Sequence, residues 1–154
     1  MLSAADDTGD AHAWVTMARL RQDIGKDSLA GVTYTDRTED GGFNRVAAAD
    51  ARMVFKKLYY VLGQAGGSWT DRDGAATNAA MWQGEFDRTA RMWGFNYKLT
   101  GFGEGFETDS GYVPRNNIVE GRASNRLSWY GQRGNAVESL TGFVSFSRIW
   151  TYTD

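Results

Sequence analysis

The fold class of this chain is decided by the segment Trp93-Gly94-Phe95-Asn96-Tyr97-Lys98-Leu99-Thr100. Every second side chain in this segment is large and apolar, and the side chains between them are small or polar. A period of two is typical of a β-strand with one apolar and one polar face. Because the same alternation recurs around Trp14, Trp82 and Trp129, the chain is predicted to be all-β.

The pattern predicts an antiparallel up-and-down meander of about eight long strands. Their predicted ranges are 11–22, 27–37, 43–55, 58–70, 76–87, 91–103, 117–130 and 136–152. Strands in soluble proteins cluster near ~5–6 residues, whereas a tilted strand that crosses a bilayer needs about 9–11. We therefore predict one domain over 1–154, a transmembrane β-barrel or an open curved section of a larger one. Residues 1–10 are expected to be disordered or to form a partial strand.

Composition limits the possible classes of protein. A net charge of −2 on 154 residues gives no support for a nucleic-acid-binding surface, so no nucleic acid partner is expected. The absence of cysteine excludes disulfides and thiol nucleophiles, and a single histidine excludes a site that needs two imidazoles. No apolar run reaches the ~18–20 residues of a spanning helix, but the strands of a membrane barrel average out hydrophilic. No cofactor or metal is expected.

The predicted connections alternate in length. The short links are 23–26, 56–57, 88–90 and 131–134, and the longer, more polar links are 38–42, 71–75 and 104–116. Short turns at one rim and longer loops at the other are typical of outer-membrane barrels. The link at 87–90 is predicted to be a four-residue turn that places Gly84 opposite Trp93.

Aromatic residues lie near both predicted rims. Those near the short turns are Phe55, Tyr59, Phe86, Trp93, Trp129 and Tyr130, and those toward the longer loops are Tyr34, Phe43 and Trp69. Indole and phenol rings favour the headgroup level of a bilayer and form girdles at both interfaces. Ordinary cross-strand aromatic pairs in a soluble sheet would give the same pattern.

The two faces of the strands supply the candidate site residues. The lipid-facing candidates are Trp93, Phe95, Tyr97, Leu99, Leu127 and Trp129. The lumen-facing charged candidates are Arg19, Arg21, Asp50, Arg52, Glu85, Asp87, Lys98, Glu120, Arg122 and Arg126. Opposite charges among them are expected to pair across strands. A soluble barrel would invert this arrangement, with its apolar residues inside and its charges outside.

Two predicted strands, 58–70 and 136–152, break the alternation. In 58–70, large apolar residues compete for both faces. In 136–152, Glu138 and Arg148 share the parity of Leu140 and Phe146. Either these charges lie beyond the apolar band or a β-bulge resets the register.

Two short elements resemble a known family. They are Asn44-Arg45-Val46, followed by Asp50, and the loop motif Gly111-Tyr112-Val113-Pro114-Arg115. Together they resemble the C-terminal barrel of bacterial outer-membrane proteins of uncharacterised function, which carry a family-9-like carbohydrate-binding module ahead of a transmembrane β-barrel. The resemblance covers most of the chain, from Ala11 to Tyr152, with Tyr112 where the family has Phe. It implies an internal fragment of the barrel, with outer-membrane lipid and carbohydrate as partners, and it transfers no catalytic residues.

The loop motif has a plain physical interpretation. Gly111 is able to take a positive φ, and Pro114 biases Val113 to an extended conformation. The motif is expected to shape an extracellular loop folded over the rim, with Arg115 available to pair with a carboxylate.

The expected function is that of an outer-membrane β-barrel protein in transport, carbohydrate binding or surface anchoring. The first alternative is a soluble eight-stranded barrel that binds a small apolar ligand. The second is a membrane-associated hydrolase, for which Glu120 with Glu85 or Asp87 would be the carboxylate pair, ~5–10 Å apart. No catalytic residue is assigned, and the sequence favours a protein that is not an enzyme. Because residues 1–6 lack the basic and apolar regions of a signal peptide, we expect a fragment of a longer outer-membrane protein.

Overall fold

The alternating segments of the sequence pair side by side as β-strands, because period-two alternation suits a sheet with two different faces. In the computed structural model, which describes residues 1–8, 11–113 and 115–152, nine strands form one antiparallel sheet. They are β1 (Leu2–Thr8), β2 (Ala11–Ile24), β3 (Ser28–Glu39), β4 (Gly42–Phe55), β5 (Tyr59–Arg72), β6 (Ala75–Arg88), β7 (Trp93–Phe102), β8 (Ile118–Tyr130) and β9 (Ser139–Thr151). Each strand pairs with its neighbours in the sequence. The predicted all-β meander is confirmed.

The strand count exceeds the prediction by one. The eight predicted strands correspond to β2–β9. The additional strand, β1, occupies the segment that was expected to be disordered or a partial strand, and it pairs with β2 from Leu2 opposite Met17 to Thr8 opposite Ala11. Within the described ranges β1 and β9 do not pair with each other, so the sheet is open.

The connections correct the predicted alternation of lengths. Two links expected to be long are two-residue turns, at 40–41 and 73–74. The turn residues Gly41, Asp73 and Gly74 have φ values of 94°, 53° and 84°, and Asp-Gly readily adopts this left-handed conformation in tight hairpins. The link expected at 131–134 spans 131–138 instead. The connection between β7 and β8, residues 103–117, is long as predicted, and we call it the β7–β8 loop.

The strand pairing also corrects the predicted partner of Gly84 and determines which residues of β9 share a face. Gly84 lies opposite Leu99 and not opposite Trp93, because β6 continues to Arg88 and pairs there with Phe95. The pairing of β8 with β9 is uninterrupted over all of β9, so no bulge resets its parity. Arg148 therefore shares the apolar side of β9, where its Cζ lies 5.3 Å from the ring centroid of Trp150.

The pairing fixes which side chains share a face. We call the side that carries Trp93 and Leu99 the apolar face, and the opposite side the polar face. Leu99 and Leu127 on the apolar face are 50% and 65% exposed. The buried polar side chains, each at most 8% exposed, all lie on the polar face: Asn44, Ser68, Thr70, Thr100 and Ser128. The apolar residues Ala13, Phe95 and Phe106 are also at most 9% exposed, but most large apolar side chains of the described residues are exposed. This distribution differs from that in an ordinary soluble protein, in which apolar side chains are mostly buried and polar ones exposed.

Two tryptophans on the apolar face lie against glycines of the next strand. A Cβ atom at Gly101 would be 2.5 Å from the indole of Trp82, and one at Gly121 would be 3.0 Å from the ring of Trp150. Both glycines therefore provide the flat surface on which an aromatic ring packs. Gly84, by contrast, has nothing within 4 Å of such an atom.

The described residues contain no helix of the length and apolar character that spanning a membrane requires.

Candidate functional site

The strand pairing places all ten charged candidates on the polar face and all six lipid-facing candidates on the apolar face. The charged residues belong to β2, β4, β6, β7 and β8, so they line a wide surface and do not converge on one point. That the charged residues face a lumen, and that the apolar residues face lipid, remains a prediction.

One ion pair crosses three strands of this face. Arg19 Nη2 in β2 donates to Asp50 Oδ1 in β4 at 2.8 Å, and Arg19 Nη1 donates to Thr33 Oγ1 of β3 at 2.6 Å. Gly31 lies in β3 opposite Asp50, and a Cβ there would approach Arg19 Nη2 to 3.2 Å. The missing side chain at Gly31 leaves room for the guanidinium to reach the carboxylate.

A second polar cluster joins β5, β6 and β7. The hydroxyl of Tyr60 donates to Glu85 Oε1 at 2.5 Å, and Asn96 Nδ2 donates to the same oxygen at 2.6 Å. Asn96 Nδ2 also lies 3.1 Å from Asp87 Oδ2. The guanidinium of Arg52 stacks over the Tyr60 ring, with its Cζ 4.6 Å from the ring centroid. These contacts tie the two carboxylates into the wall of the sheet.

Replacing Tyr60 by phenylalanine tests how much this cluster contributes to stability. Because the Glu85 carboxylate would lose one of its two donors, we expect the free energy of unfolding to fall by about 1–2 kcal/mol, measured by urea titration. Tyr97→Phe is the matched control, since the Tyr97 hydroxyl donates to Asn125 Oδ1 at 3.1 Å on the exposed apolar face. A loss of equal size in both variants would show that the Tyr60 contact has no special weight.

The remaining charged candidates are less connected. Arg122 Nε donates to Glu120 Oε1 at 2.8 Å within β8, and Arg126 Nη2 donates to the carbonyl of Ala90 at 2.5 Å. Arg21 and Lys98 form no ion pair in the part of the chain that the structure describes. The expected pairing of charges across strands is therefore seen for Arg19 with Asp50 alone among the ten described candidates.

The carboxylates considered for glycoside hydrolysis lie on strands that are not neighbours in the sheet. Glu85 lies opposite Lys98, whereas Glu120 lies opposite Thr100, and β7 separates the two strands. From the spacing between neighbouring strands and the rise per residue along a strand, the Cα atoms of Glu85 and Glu120 are on the order of 12 Å apart. Each carboxylate already accepts a hydrogen bond from a neighbouring side chain. Among the described residues no group of three or more His, Asp or Glu side chains is placed to hold a metal ion.

The β7–β8 loop folds back over the polar face and contacts β4 and β5. Asn44 Nδ2 donates to the carbonyl of Glu107 at 3.2 Å, and Asn44 Oδ1 accepts from the backbone N–H of Asp109 at 3.0 Å. The backbone N–H of Glu107 donates to Ser68 Oγ at 3.2 Å. Phe106 is only 4% exposed, and its ring centroid lies 5.7 Å from that of Phe102. The β7–β8 loop is thus packed against the polar face of the sheet.

Arg72, at the end of β5, forms ion pairs with the same loop. Its Nη2 lies 2.9 Å from Asp109 Oδ1 and 3.7 Å from Glu107 Oε2, and its Nη1 lies 3.3 Å from Glu39 Oε1. One guanidinium therefore connects two carboxylates of the loop to the end of β3.

The loop motif is placed only in part. Gly111 does not use a positive φ; in the described part of the loop that conformation belongs to Asn117, at 54°. Tyr112 and Arg115 are exposed, and Arg115 forms no ion pair with a described residue. Pro114 lies outside the described residues. The polar residues that hold the loop, Asn44, Ser68 and Arg72, were not identified as loop contacts from the sequence.

Comparison with known proteins adds no further information. No family model, curated protein or solved structure matches the chain. The resemblance of the Asn44 element and the loop motif to an outer-membrane family stays an expectation.

Proposed function

We propose that the chain is a section of a bacterial outer-membrane β-barrel, with its apolar face against acyl chains and its polar face lining an aqueous lumen. The observation that carries the proposal is the reversed distribution of side chains. Large apolar residues such as Leu99 and Leu127 are exposed, while Asn44, Ser68 and Thr70 are buried. In a bilayer this arrangement is favourable, because the exposed apolar side chains meet hydrocarbon instead of water.

Strand length supports the proposal. β4, β5 and β6 each contain 14 residues, more than the about 9–11 that a tilted strand needs to cross a bilayer. Strands of this length would cross the hydrocarbon core and still project beyond it.

The aromatic residues near the 56–58 turn also support it. Phe55 stacks on Tyr59 with a centroid distance of 5.2 Å, and Phe86 packs edge-on against Phe95 at 5.0 Å. The Arg88 guanidinium lies over Trp93, with its Cζ 4.9 Å from the ring centroid. Aromatic rings with a nearby cation suit the headgroup region, where an apolar body and a polar tip are both accommodated.

Passage or binding of polar solutes is the role we propose within this class. A lining of charged and amide side chains suits polar solutes, including carbohydrate, better than a small apolar ligand. The soluble alternative requires the apolar face to be enclosed, and the exposure of Leu99 and Leu127 argues against that arrangement. The carboxylates of the hydrolase alternative lie on strands that β7 separates, and no observation favours that alternative.

Single thiols on neighbouring residues of β7 test the two faces. The chain contains no cysteine, so Leu99→Cys and Lys98→Cys each introduce one labelling position. After reconstitution of the chain into phospholipid vesicles, we expect a fluorophore at Leu99→Cys to be quenched by nitroxide lipids. A fluorophore at Lys98→Cys should be quenched by aqueous iodide. Leu127→Cys and Arg126→Cys provide a second adjacent pair on β8. Equal quenching of both positions by iodide would contradict the proposal.

A further inference from the structure

We propose that residues 103–109, the first part of the β7–β8 loop, form a constriction of the lumen, held against the polar face of the sheet by Asn44 and Ser68. The inference rests on the proposed function, because it requires the polar face to line a lumen. Beyond that function, the inference identifies the segment that narrows the lumen and the residues that determine how often this segment opens.

The first observation is the buried amide of Asn44, which is 1% exposed. Its Nδ2 donates to Thr70 Oγ1 at 2.8 Å and to the Glu107 carbonyl at 3.2 Å. Its Oδ1 accepts the N–H of Asp109 at 3.0 Å. Two of these three hydrogen bonds bind backbone atoms of the loop, so Asn44 holds the loop whatever side chains it carries.

The second observation is that the attachment has more than one point. Ser68 is 1% exposed and accepts the N–H of Glu107, while Arg72 pairs with Asp109. Loop residues 107–109 are thus held by side chains from both β4 and β5. A loop attached only through its own two ends would lack such contacts.

The third observation is the path of the loop. It leaves β7, its Gly103 N–H donates to the Ala80 carbonyl of β6 at 2.9 Å, and it then reaches β5 and β4. From β7 to β4 the loop therefore crosses three strand spacings, or about 15 Å of the polar face. A segment lying across that width of the polar face occupies space that would otherwise belong to the lumen.

The attachment is strong enough to hold the loop and weak enough to release it. It consists of a few hydrogen bonds, the two ion pairs of Arg72 with Glu107 and Asp109, and the packing of Phe106, and each hydrogen bond contributes little net free energy. Local opening of such a segment occurs without global unfolding. Weakening one contact should raise the open population by a predictable factor.

A thiol beneath the loop measures this opening. Ala79 is half-buried and its Cβ lies close to Gly103 and Gly105 of the loop, so an Ala79→Cys thiol should react more slowly with a charged maleimide than a thiol on the uncovered part of the polar face. We expect Ser68→Ala to raise the reaction rate about three- to tenfold, and Asn44→Ala to raise it at least about tenfold. Equal rates in all variants would overturn the attachment.

Ser128→Ala is the matched control. Ser128 is also a buried serine on the polar face, at 5% exposed, but it accepts hydrogen bonds from Arg126 and Thr141 and none from the described residues of the loop. It should leave the labelling rate unchanged. If Asn44→Ala fails to fold, the comparison of Ser68→Ala with Ser128→Ala decides the question alone.

Conductance of the complete barrel that contains this chain, reconstituted into planar lipid bilayers, tests the constriction itself. We expect Ser68→Ala and Asn44→Ala to increase the mean conductance, and Ser128→Ala to leave it unchanged. Faster labelling without a change in the conductance of a conducting chain would overturn the constriction and leave the lumen intact. The absence of conductance in every variant, together with failed lipid quenching at Leu99→Cys, would instead contradict the proposed function.

Discussion

Replacement of Ala123 by arginine is expected to destabilise the chain in a bilayer by about 2–4 kcal/mol, the cost of a cation on the lipid side of a barrel near the midplane. Ala123 is close to the middle of β8 and lies on the apolar face, opposite Tyr97 and Phe146. A guanidinium at this position would have to reach past apolar side chains to find water or a headgroup.

The neighbouring residue supplies the control. Ser124 points to the polar face, opposite Asn96 and Ser145, so Ser124→Arg should cost less than about 1 kcal/mol. Urea titration of folding into phospholipid vesicles measures both variants. Equal losses at the two positions would mean that the faces do not differ in their surroundings, and the membrane assignment would fail.

Replacement of Gly101 by alanine is expected to lower the free energy of unfolding by about 1–3 kcal/mol, because the new methyl group would overlap the indole of Trp82. The nearest indole atoms, Cε2 and Nε1, lie 2.5 Å from the position of that Cβ. Trp82 is directly opposite Gly101 in the ladder, so the ring has to leave its place on the strand.

Gly84→Ala is the same change at an uncrowded position of the same sheet. Nothing lies within 4 Å of an added Cβ at Gly84, so this variant should be neutral or more stable by about 0.4–1 kcal/mol. Chemical denaturation of both variants under one set of conditions makes the comparison. Similar stability of the two variants would show that Trp82 repacks without cost.

The strands and their faces were predictable because each depends on neighbouring residues alone. The alternation from Trp93 to Leu99 predicted β7, and its pairing with Leu127 in β8 follows from the same parity. β1 was harder to predict, because backbone pairing with β2 holds a segment whose own alternation is weak.

Two turns differ from the prediction although the sequence contains a signal for them. Asp40-Gly41 and Asp73-Gly74 are dipeptides that favour two-residue hairpin turns, and polar neighbours such as Thr38 and Asp71 extend the strands instead of forming loops. The attachment of the β7–β8 loop carries no comparable local signal. Asn44 contacts Glu107 and Asp109 across more than 60 positions of the chain, and only the completed sheet brings them together.

The direction of the two edge strands has a consequence for how the described sheet can close. Neighbouring strands are antiparallel and nine are described, so β1 and β9 run the same way. Joining those edges directly would create one parallel seam, with slanted and slightly less stable hydrogen bonds. A closed barrel in which all neighbouring strands are antiparallel needs an odd number of additional strands between β9 and β1. All 13 residues of β9 are exposed, so its free edge is available to pair with another strand.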